Sequence, residues 1–127
     1  MAKKILIVDD EPFMQRLIQL HLEKAGYELV KARNGHEALD AVQREKPHLI
    51  VMDVMMAGMD GLTALSRLKQ DQATHDIPVI IMTAKAHIIT RQEAEQSGAA
   101  VVFTKPFSPT QLLLEIRRLL PDSPPQS

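Results

Sequence analysis

The sequence predicts an α/β protein built on one doubly wound sheet of five parallel strands. Five short apolar runs alternate with longer segments in which apolar residues recur at helical spacing. The first, third and fourth runs are unbroken and rich in β-branched residues, which is typical of strands covered on both faces. Helical connections between parallel strands are right-handed in nearly all proteins, so helices are expected on both faces of the sheet.

Each predicted strand is a run of three to five residues. The second run alternates in polarity, so we expect this strand to be less covered than the others. The five runs are residues 5–8, 28–32, 49–52, 79–82 and 101–103.

The segments after these runs contain residues that are typical of helix starts, helix ends and apolar helix faces. Pro12 fits the first turn of a first helix, which Gly26 ends. The apolar positions of this helix are Phe13, Leu17, Leu20 and Leu22. A second helix is predicted between the Asn34-Gly35 turn and Pro47.

Three further helices complete the pattern. Gly58 and Gly61 bracket a loop before the third helix, and a weaker fourth helix covers residues 86–97 until Gly98 closes it. The Ser108-Pro109 pair supplies an N-cap and a first helical residue for the fifth.

Length and composition fit one domain, because 127 residues can bury a single core. We expect the domain to cover residues 1–120 and the Pro-rich residues 121–127 to form a tail or the start of a linker. With a formal net charge of −1, this domain lacks the excess of positive charge that direct binding of DNA or RNA requires.

The composition also bears on the cellular compartment. The chain has no cysteine, which excludes disulfides and thiolate metal sites. No apolar run approaches the roughly 20 residues that cross a bilayer, and residues 5–8 are too few for the core of a signal peptide. We therefore expect a cytoplasmic protein without membrane contact.

Polar residues gather where the predicted strands end. Asp9 and Asp10 follow the first strand, Asp53 the third and Thr83 the fourth, and Lys105 lies at the end of the fifth. Taken singly, each has an ordinary explanation as a strand end, a helix cap or a solvated side chain. Ligands of open α/β sheets bind outside the carboxyl ends of the strands, so their convergence at one edge favours a functional site.

The chemistry of this set fits phosphoryl transfer assisted by a divalent cation. Three crowded carboxylates repel one another, and Mg²⁺ prefers carboxylate, water and phosphate oxygens. The lack of cysteine and of clustered histidine disfavours zinc. Lys105 suits a phosphate, Thr83 offers a hydroxyl, and Asp53, alone after an interior strand, is the best nucleophile.

Together these motifs resemble the receiver domain of response regulators in two-component systems, of the chemotaxis-regulator type, over about residues 3–120. The resemblance implies a flavodoxin-like (βα)5 fold with strand order 2-1-3-4-5. It is carried by residues 5–12 (ILIVDDEP), by Asp53 with Met56 and Asp60-Gly61 behind it, by residues 82–84 (MTA) and by residues 104–107 (TKPF).

The resemblance implies which residues hold the metal and the phosphoryl group. Asp53 is then the phosphoacceptor, and Thr83 and Lys105 contact the phosphoryl group. Mg²⁺ is then bound by Asp10, by Asp9 directly or through water, by Asp53 and by the main-chain carbonyl of Met55.

The implied phosphoryl donor is a phosphohistidine on a sensor kinase or a histidine phosphotransfer protein. A receiver turns over only its own modification, so we expect a signalling switch rather than an enzyme with a free substrate. Met55 and Lys85 flank the expected phosphoryl site, and neither acts as a general base at neutral pH. Slow self-dephosphorylation is therefore predicted.

One departure from the family pattern concerns the switch. The residue three before Lys105 is usually aromatic in the family, whereas here it is Val102, which is β-branched and stiff. Phe103 is adjacent, but successive strand residues face opposite ways. We predict that activation uses Thr83 and the following loop without an aromatic rotamer change.

A docking surface is one of two interpretations of Ile88 and Ile89, which cannot both face inward from the fourth predicted helix. A single exposed isoleucine is ordinary on a protein surface. Alternatively, the pair belongs to a face formed by the fourth helix, fifth strand and fifth helix, through which a homodimer or an effector binds.

Three rival functions are weaker on these residues. A phosphatase related to haloacid dehalogenases needs an Asp-x-Asp after its first strand, whereas this chain has Asp9-Asp10-Glu11. An FMN carrier needs a hydroxyl- and glycine-rich phosphate loop there, and the acidic residues present would repel a phosphate. The remaining alternative is a pseudo-receiver that acts only as a protein-interaction module, although every element of the phosphorylation site is present.

Overall fold

The computed structural model describes residues 3–54, 61–84, 96, 98–105 and 108–120. Its five strands are β1 (Lys4–Val8), β2 (Glu28–Ala32), β3 (Leu49–Asp53), β4 (Val79–Ala84) and β5 (Val101–Lys105). The helices bounded within the described ranges are α1 (Pro12–Lys24), α2 (Gly35–Glu45), α3 (Gly61–Gln70) and α4 (Pro109–Leu119). The fourth predicted helix falls outside these ranges apart from Gln96, which is helical.

The strands form one parallel sheet in the order β2-β1-β3-β4-β5, which confirms the predicted fold class and strand order. β1 and β3 are neighbours at the centre, and Val8 lies opposite Met52. On the other side of β3, Asp53 lies opposite Met82 of β4. The carboxyl ends of these three strands therefore meet at one edge of the sheet.

Three strands extend further at their carboxyl ends than the sequence indicated, and in the fifth the added residues are Thr104 and Lys105. We expected the third strand to end at Met52 and the fourth at Met82, but Asp53 and Thr83 are themselves strand residues. Their main chains continue the ladder, with Thr83 opposite Thr104 of β5. The apolar runs end earlier than the strands because ladder hydrogen bonds depend on the main chain and not on the polarity of the side chain.

The sheet separates two apolar cores, since alternate residues of each strand face opposite sides. One core lies under α2 and α3 and includes Leu6, Val8, Ile50, Met52, Ile81, Ala38 and Leu65. The other lies under α1 and α4 and includes Ile5, Ile7, Val51, Ile80, Met82, Ile18 and Leu112. Covering both faces fixes the central strands, and with them the position of the edge where they end.

Side-chain caps start two of the helices. Asn34 precedes α2, and its Oδ1 accepts a hydrogen bond from the amide of Glu37 at 2.9 Å. Ser108 precedes α4, and its Oγ accepts from the amides of Thr110 and Gln111 at 3.2 and 3.4 Å. Such caps satisfy amides that the first helical turn leaves without partners. The predicted start of α4 is confirmed, whereas α2 begins at Gly35, within the predicted turn.

The buried face of α1 differs from the expectation. Phe13 is 74% exposed and Leu20 is 48% exposed, although both belonged to the expected apolar stripe. The buried residues of the helix are Gln15, Ile18 and Leu22. Because α1 carries apolar residues around most of its circumference, their spacing did not identify the face that packs on the sheet.

None of the helices in the described part of the chain has the length and apolar character needed to cross a membrane.

Gly61 begins α3, although the sequence placed it at the end of a loop. Its amide donates to the carbonyl oxygen of Val54 at 3.0 Å. A Cβ at this position would lie 2.9 Å from the Cα of Val54 and closer still to the carbonyl oxygen of Asp53. The absence of a side chain thus allows α3 to start directly against the end of β3.

We predict that Gly61→Ala destabilises the protein by about 1–3 kcal/mol, since the added methyl group must displace the main chain around Asp53. Helix propensity acts in the opposite direction and favours alanine by about 1 kcal/mol. Urea unfolding followed by circular dichroism measures the difference. Ser66→Ala on the exposed side of α3 is the control and should change stability by less than about 0.5 kcal/mol. A Gly61→Ala protein as stable as the wild type would contradict the packing argument.

Candidate functional site

Three carboxylates meet at the carboxyl edge of the sheet. Asp9 and Asp10 directly follow β1, and Asp53 is the last residue of the neighbouring β3. One carboxylate oxygen from each lies within 4.8 Å of the other two. Asp9 is fully buried, Asp53 is 5% exposed, and Asp10 is exposed. The structure thus brings together the three aspartates that the sequence singled out.

The turn between β1 and α1 fixes Asp9 through its main chain and its side chain. The amide of Asp9 donates to the carbonyl oxygen of Ala32 at 3.1 Å. Its Oδ1 accepts a hydrogen bond from the amide of Glu11 at 2.9 Å. A buried carboxylate is held in one orientation by such contacts, which the site needs if it is to present defined ligand atoms.

Gln15 is a buried polar residue that sequence reasoning missed. It is 8% exposed, and its Nε2 donates to the carbonyl oxygens of Asp9 at 2.7 Å and Ala32 at 2.6 Å. The available signal was its spacing, because Gln15 lies three residues before Ile18 and seven before Leu22 on one helical face. A polar residue at a core-facing helical position commonly has a main-chain partner.

The end of β2 beside the site is also fixed. After Ala32, the amide of Arg33 donates to Glu37 Oε1 at 2.9 Å, while Glu37 is bound through its own amide to the cap residue Asn34. The hydrogen bond from the Arg33 main chain is the largest of the effects that hold the pKa of Glu37 below its ordinary value. This reciprocal contact orders the turn that carries the Ala32 carbonyl.

Thr83 lies in β4, directly after the residue paired with Asp53, and is 6% exposed. The chain leaving Asp53 stays attached to β4, because the amide of Val54 donates to the carbonyl oxygen of Met82 at 2.9 Å. Lys105 ends β5 opposite Ala84, so its main chain reaches the same edge of the sheet. The side chain of Lys105 and the whole of Met55 lie outside the described part, and their roles stay predictions.

Val102 and Phe103 lie on opposite faces of β5, as the sequence predicted. Val102 is 7% exposed and packs in the core under α2 and α3. Phe103 is half-buried and packs against the core under α1 and α4. Phe103 is therefore no simple replacement for an aromatic residue at position 102. The mode of switching stays a prediction, and Lys85, Ile88 and Ile89 lie outside the described residues.

The donor set fits a hard divalent cation. Three carboxylates this close repel one another, and carboxylate oxygens are ligands that Mg²⁺ prefers in proteins. The exposed Asp10 leaves one side of the cluster accessible from solvent, whereas Asp9 and Asp53 lie at its buried side. Such a site suits a reaction in which a cation and an anionic group are held beside a buried carboxylate.

Comparison with known proteins agrees with this geometry. The family model of the response regulator receiver domain matches residues 5–117. The phosphate regulon transcriptional regulatory protein PhoB of Pseudomonas aeruginosa is 40% identical over 94% of this chain and 52% of its own length. The alkaline phosphatase synthesis transcriptional regulatory protein PhoP of Bacillus subtilis is 38% identical over 94% of this chain and 49% of its own length.

Solved structures show the same likeness. A putative response regulator from Chloroflexus aurantiacus superposes with a TM-score of 0.90 at 31% identity, covering 95% of this chain and 99% of the other. The chemotaxis response regulator CheY4 of Vibrio cholerae gives a TM-score of 0.86 at 30% identity, covering 94% of this chain and 100% of the other.

The chain belongs to the family of response regulator receiver domains, the phosphoryl-accepting modules of two-component systems. This confirms the resemblance and the receiver function expected from the sequence, and nothing in the comparisons favours a pseudo-receiver. Receiver domains are not a family of enzymes with a free substrate. The chain spans about half the length of the curated relatives it matches.

We predict that Mg²⁺ raises the melting temperature of the wild-type protein by offsetting the repulsion among the three carboxylates. A ligand at about 100 times its dissociation constant stabilises the folded state by about 2.7 kcal/mol. Asp10→Asn should lose most of this shift, and in metal-free, low-salt buffer it should be at least as stable as the wild type.

The control for this measurement is Asp76→Asn. It makes the same chemical change on a side chain that is 93% exposed, before β4 and so at the opposite edge of the sheet. Its Mg²⁺ shift should equal that of the wild type. An Asp10→Asn protein with an undiminished Mg²⁺ shift would place the cation elsewhere.

Proposed function

We propose that Asp53 accepts a phosphoryl group from a phosphohistidine of a sensor kinase or a histidine phosphotransfer protein. The observation that supports it most is the cluster of Asp9, Asp10 and Asp53 at the edge of a receiver-domain sheet. In this reaction a carboxylate oxygen of Asp53 bonds to phosphorus as the phosphorus–nitrogen bond breaks. The imidazole nitrogen of the donor keeps the electron pair of that bond, and Asp53 becomes an acyl phosphate.

Each residue of the site has a proposed part in this transfer. Asp10, Asp9 directly or through water, Asp53 and the main-chain carbonyl of Met55 hold Mg²⁺. When bound, the cation neutralises charge on the phosphoryl oxygens. Thr83 donates its hydroxyl to one of these oxygens, and the ammonium of Lys105 pairs with another.

The positions of these groups support the assignment to Asp53. It is 5% exposed at the end of a central strand, so its main chain is held by pairing with β4 and its carboxylate reaches the edge of the sheet. Thr83 follows Met82, the residue paired with Asp53, and at 6% exposure it is about as buried as Asp53. Phosphoryl transfer depends mainly on such positioning and on charge neutralisation.

The extent of the domain and its location form part of the same proposal. The receiver unit covers residues 1–120, in agreement with the family match to residues 5–117 and with the end of α4 at Leu119. Residues 121–127 form a tail or the start of a linker. A cytoplasmic location is proposed because a kinase phosphohistidine is the donor and the chain contains no cysteine.

We also propose that a second copy of the chain or an effector binds a face formed by the fourth predicted helix, β5 and α4. Leu114 of α4 is 59% exposed, so this helix has an apolar side chain that a partner could contact. Direct binding of nucleic acid by this domain is not proposed, because its formal net charge of −1 offers no attraction to phosphates.

Intact-mass analysis with acetyl phosphate tests the phosphoacceptor. We expect the wild type to gain one phosphoryl group only in the presence of Mg²⁺ and Asp53→Asn to gain none. Asp76→Asn, which keeps every site residue, should be modified like the wild type. Undiminished modification of Asp53→Asn would transfer the acceptor role to another residue, and no modification of the wild type even by a phosphorylated kinase would favour a pseudo-receiver.

Slow self-dephosphorylation is the second expected outcome. Met55 and Lys85 flank the expected phosphoryl site, and neither takes a proton from water at neutral pH. The measurement follows the loss of the phosphoryl mass after acetyl phosphate is removed. A half-life of seconds would contradict this part of the proposal.

A further inference from the structure

Gln15 makes two short hydrogen bonds beside the acidic cluster. The proposed reaction gives these hydrogen bonds no role. Both hydrogen bonds from Nε2 go to main-chain carbonyl oxygens, those of Asp9 at 2.7 Å and Ala32 at 2.6 Å. An amide nitrogen carries two protons, so each carbonyl receives one of them. The opposite orientation would set the amide oxygen against two carbonyl oxygens, and these acceptors therefore settle which way the amide points.

These contacts join two neighbouring strands at the site. Asp9 follows β1, and Ala32 is the last residue of β2. The Ala32 carbonyl also accepts from the amide of Asp9 at 3.1 Å, so Gln15 completes a closed set of three hydrogen bonds. Since Gln15 is only 8% exposed, water competes weakly with this arrangement.

The carbonyl of Asp9 is more than a structural acceptor, because it shares a peptide plane with the nitrogen of Asp10. The peptide bond is planar, so a hydrogen bond that fixes the Asp9 oxygen also fixes the direction in which Asp10 leaves the turn. Asp10 is exposed and lacks the burial that holds Asp9 and Asp53. Its carboxylate therefore depends on the main chain for its position relative to the other two.

We propose that Gln15 is a positioning residue for the Mg²⁺ site, acting on Asp10 through the Asp9 carbonyl. This inference rests on the proposed function, because it assumes that the acidic cluster holds the cation. Groups that orient metal ligands typically change metal affinity by about 10- to 100-fold when they are removed. We expect the lower end of that range, since Gln15 acts through one peptide plane.

The test compares Gln15→Met with Gln19→Met. Methionine has nearly the length of glutamine but no amide protons, so Gln15→Met removes both hydrogen bonds and keeps the bulk. Gln19 is half-buried and lies one turn later on the same helix, and its Nε2 donates to Glu23 Oε2 at 3.1 Å in a solvent-exposed contact. The second variant thus makes the same chemical change without touching the cluster.

Calorimetric titration with MgCl₂ measures affinity on folded protein, at a temperature where circular dichroism shows each variant to be native. We expect Gln15→Met to weaken Mg²⁺ binding about tenfold and Gln19→Met to leave it within twofold. Amide exchange in the metal-free protein gives an independent readout, and the Asp9 amide should lose protection in Gln15→Met alone. Equal affinity in the two variants would overturn the inference.

A wild-type measurement keeps the test decisive if Gln15→Met does not fold. In ¹⁵N-labelled protein, the side-chain amide resonances of Gln15 should shift on addition of MgCl₂ and reach half their change at the calorimetric dissociation constant. If the protein binds Mg²⁺ and the Gln15 resonances do not shift, the positioning role of Gln15 is contradicted but the cation site is not. A wild type that binds no Mg²⁺ would instead remove the proposed cation site itself.

Discussion

The pairing of β1 with β3 is the constraint on which the rest of this structure depends. The register that sets Val8 opposite Met52 places the residues that follow them, Asp9 and Asp53, at neighbouring strand ends. No short-range feature of the sequence brings these carboxylates together, since they are more than forty positions apart. Burial of both strands on both faces makes the register hard to change, because a slip would misplace every apolar side chain.

The register of β1 and β3 places carboxylates together at a buried position, where negative charge is unfavourable. Two of the three carboxylates are almost fully removed from water, and all three lie within 4.8 Å of one another. The apolar cores on the two sides of the sheet supply the stability that keeps such a cluster assembled. A divalent cation bound among these carboxylates would relieve the repulsion that the fold imposes on them.

Most of the fold could be predicted because each strand has a local signature. The unbroken apolar runs of β1, β3 and β4 and the alternation of β2 depend on burial alone, so single-sequence reasoning recovered them. The buried face of α1 could not be recovered in this way. Phe13 and Leu20 are apolar and yet exposed, while Gln15 is polar and yet buried. Contacts with the sheet, rather than the helical period, decide which of them is covered.

The residues of the candidate site also differ in how well the sequence predicts them. The aspartates and Thr83 were predictable, because a polar residue after an apolar run stands out against its neighbours. The roles of Gln15 and Gly61 were missed, because each depends on main-chain atoms outside its own helix, even though the spacing of Gln15 from Ile18 and Leu22 placed it on the buried face. Gln15 donates to the carbonyl of Ala32, seventeen positions away, and Gly61 approaches the carbonyl of Asp53. Such contacts exist only once the sheet has formed.

The sheet also limits how a change at the site can reach the surface. Val102 and Phe103 lie in different cores, so neither side chain can take the place of the other without crossing the sheet. Thr83, however, is both buried at the edge of the sheet and paired with Thr104 of β5. A displacement of Thr83 would therefore bear on the main chain of β5 beside Lys105, whereas a side-chain rotation at position 102 would be opposed by the packed core around it.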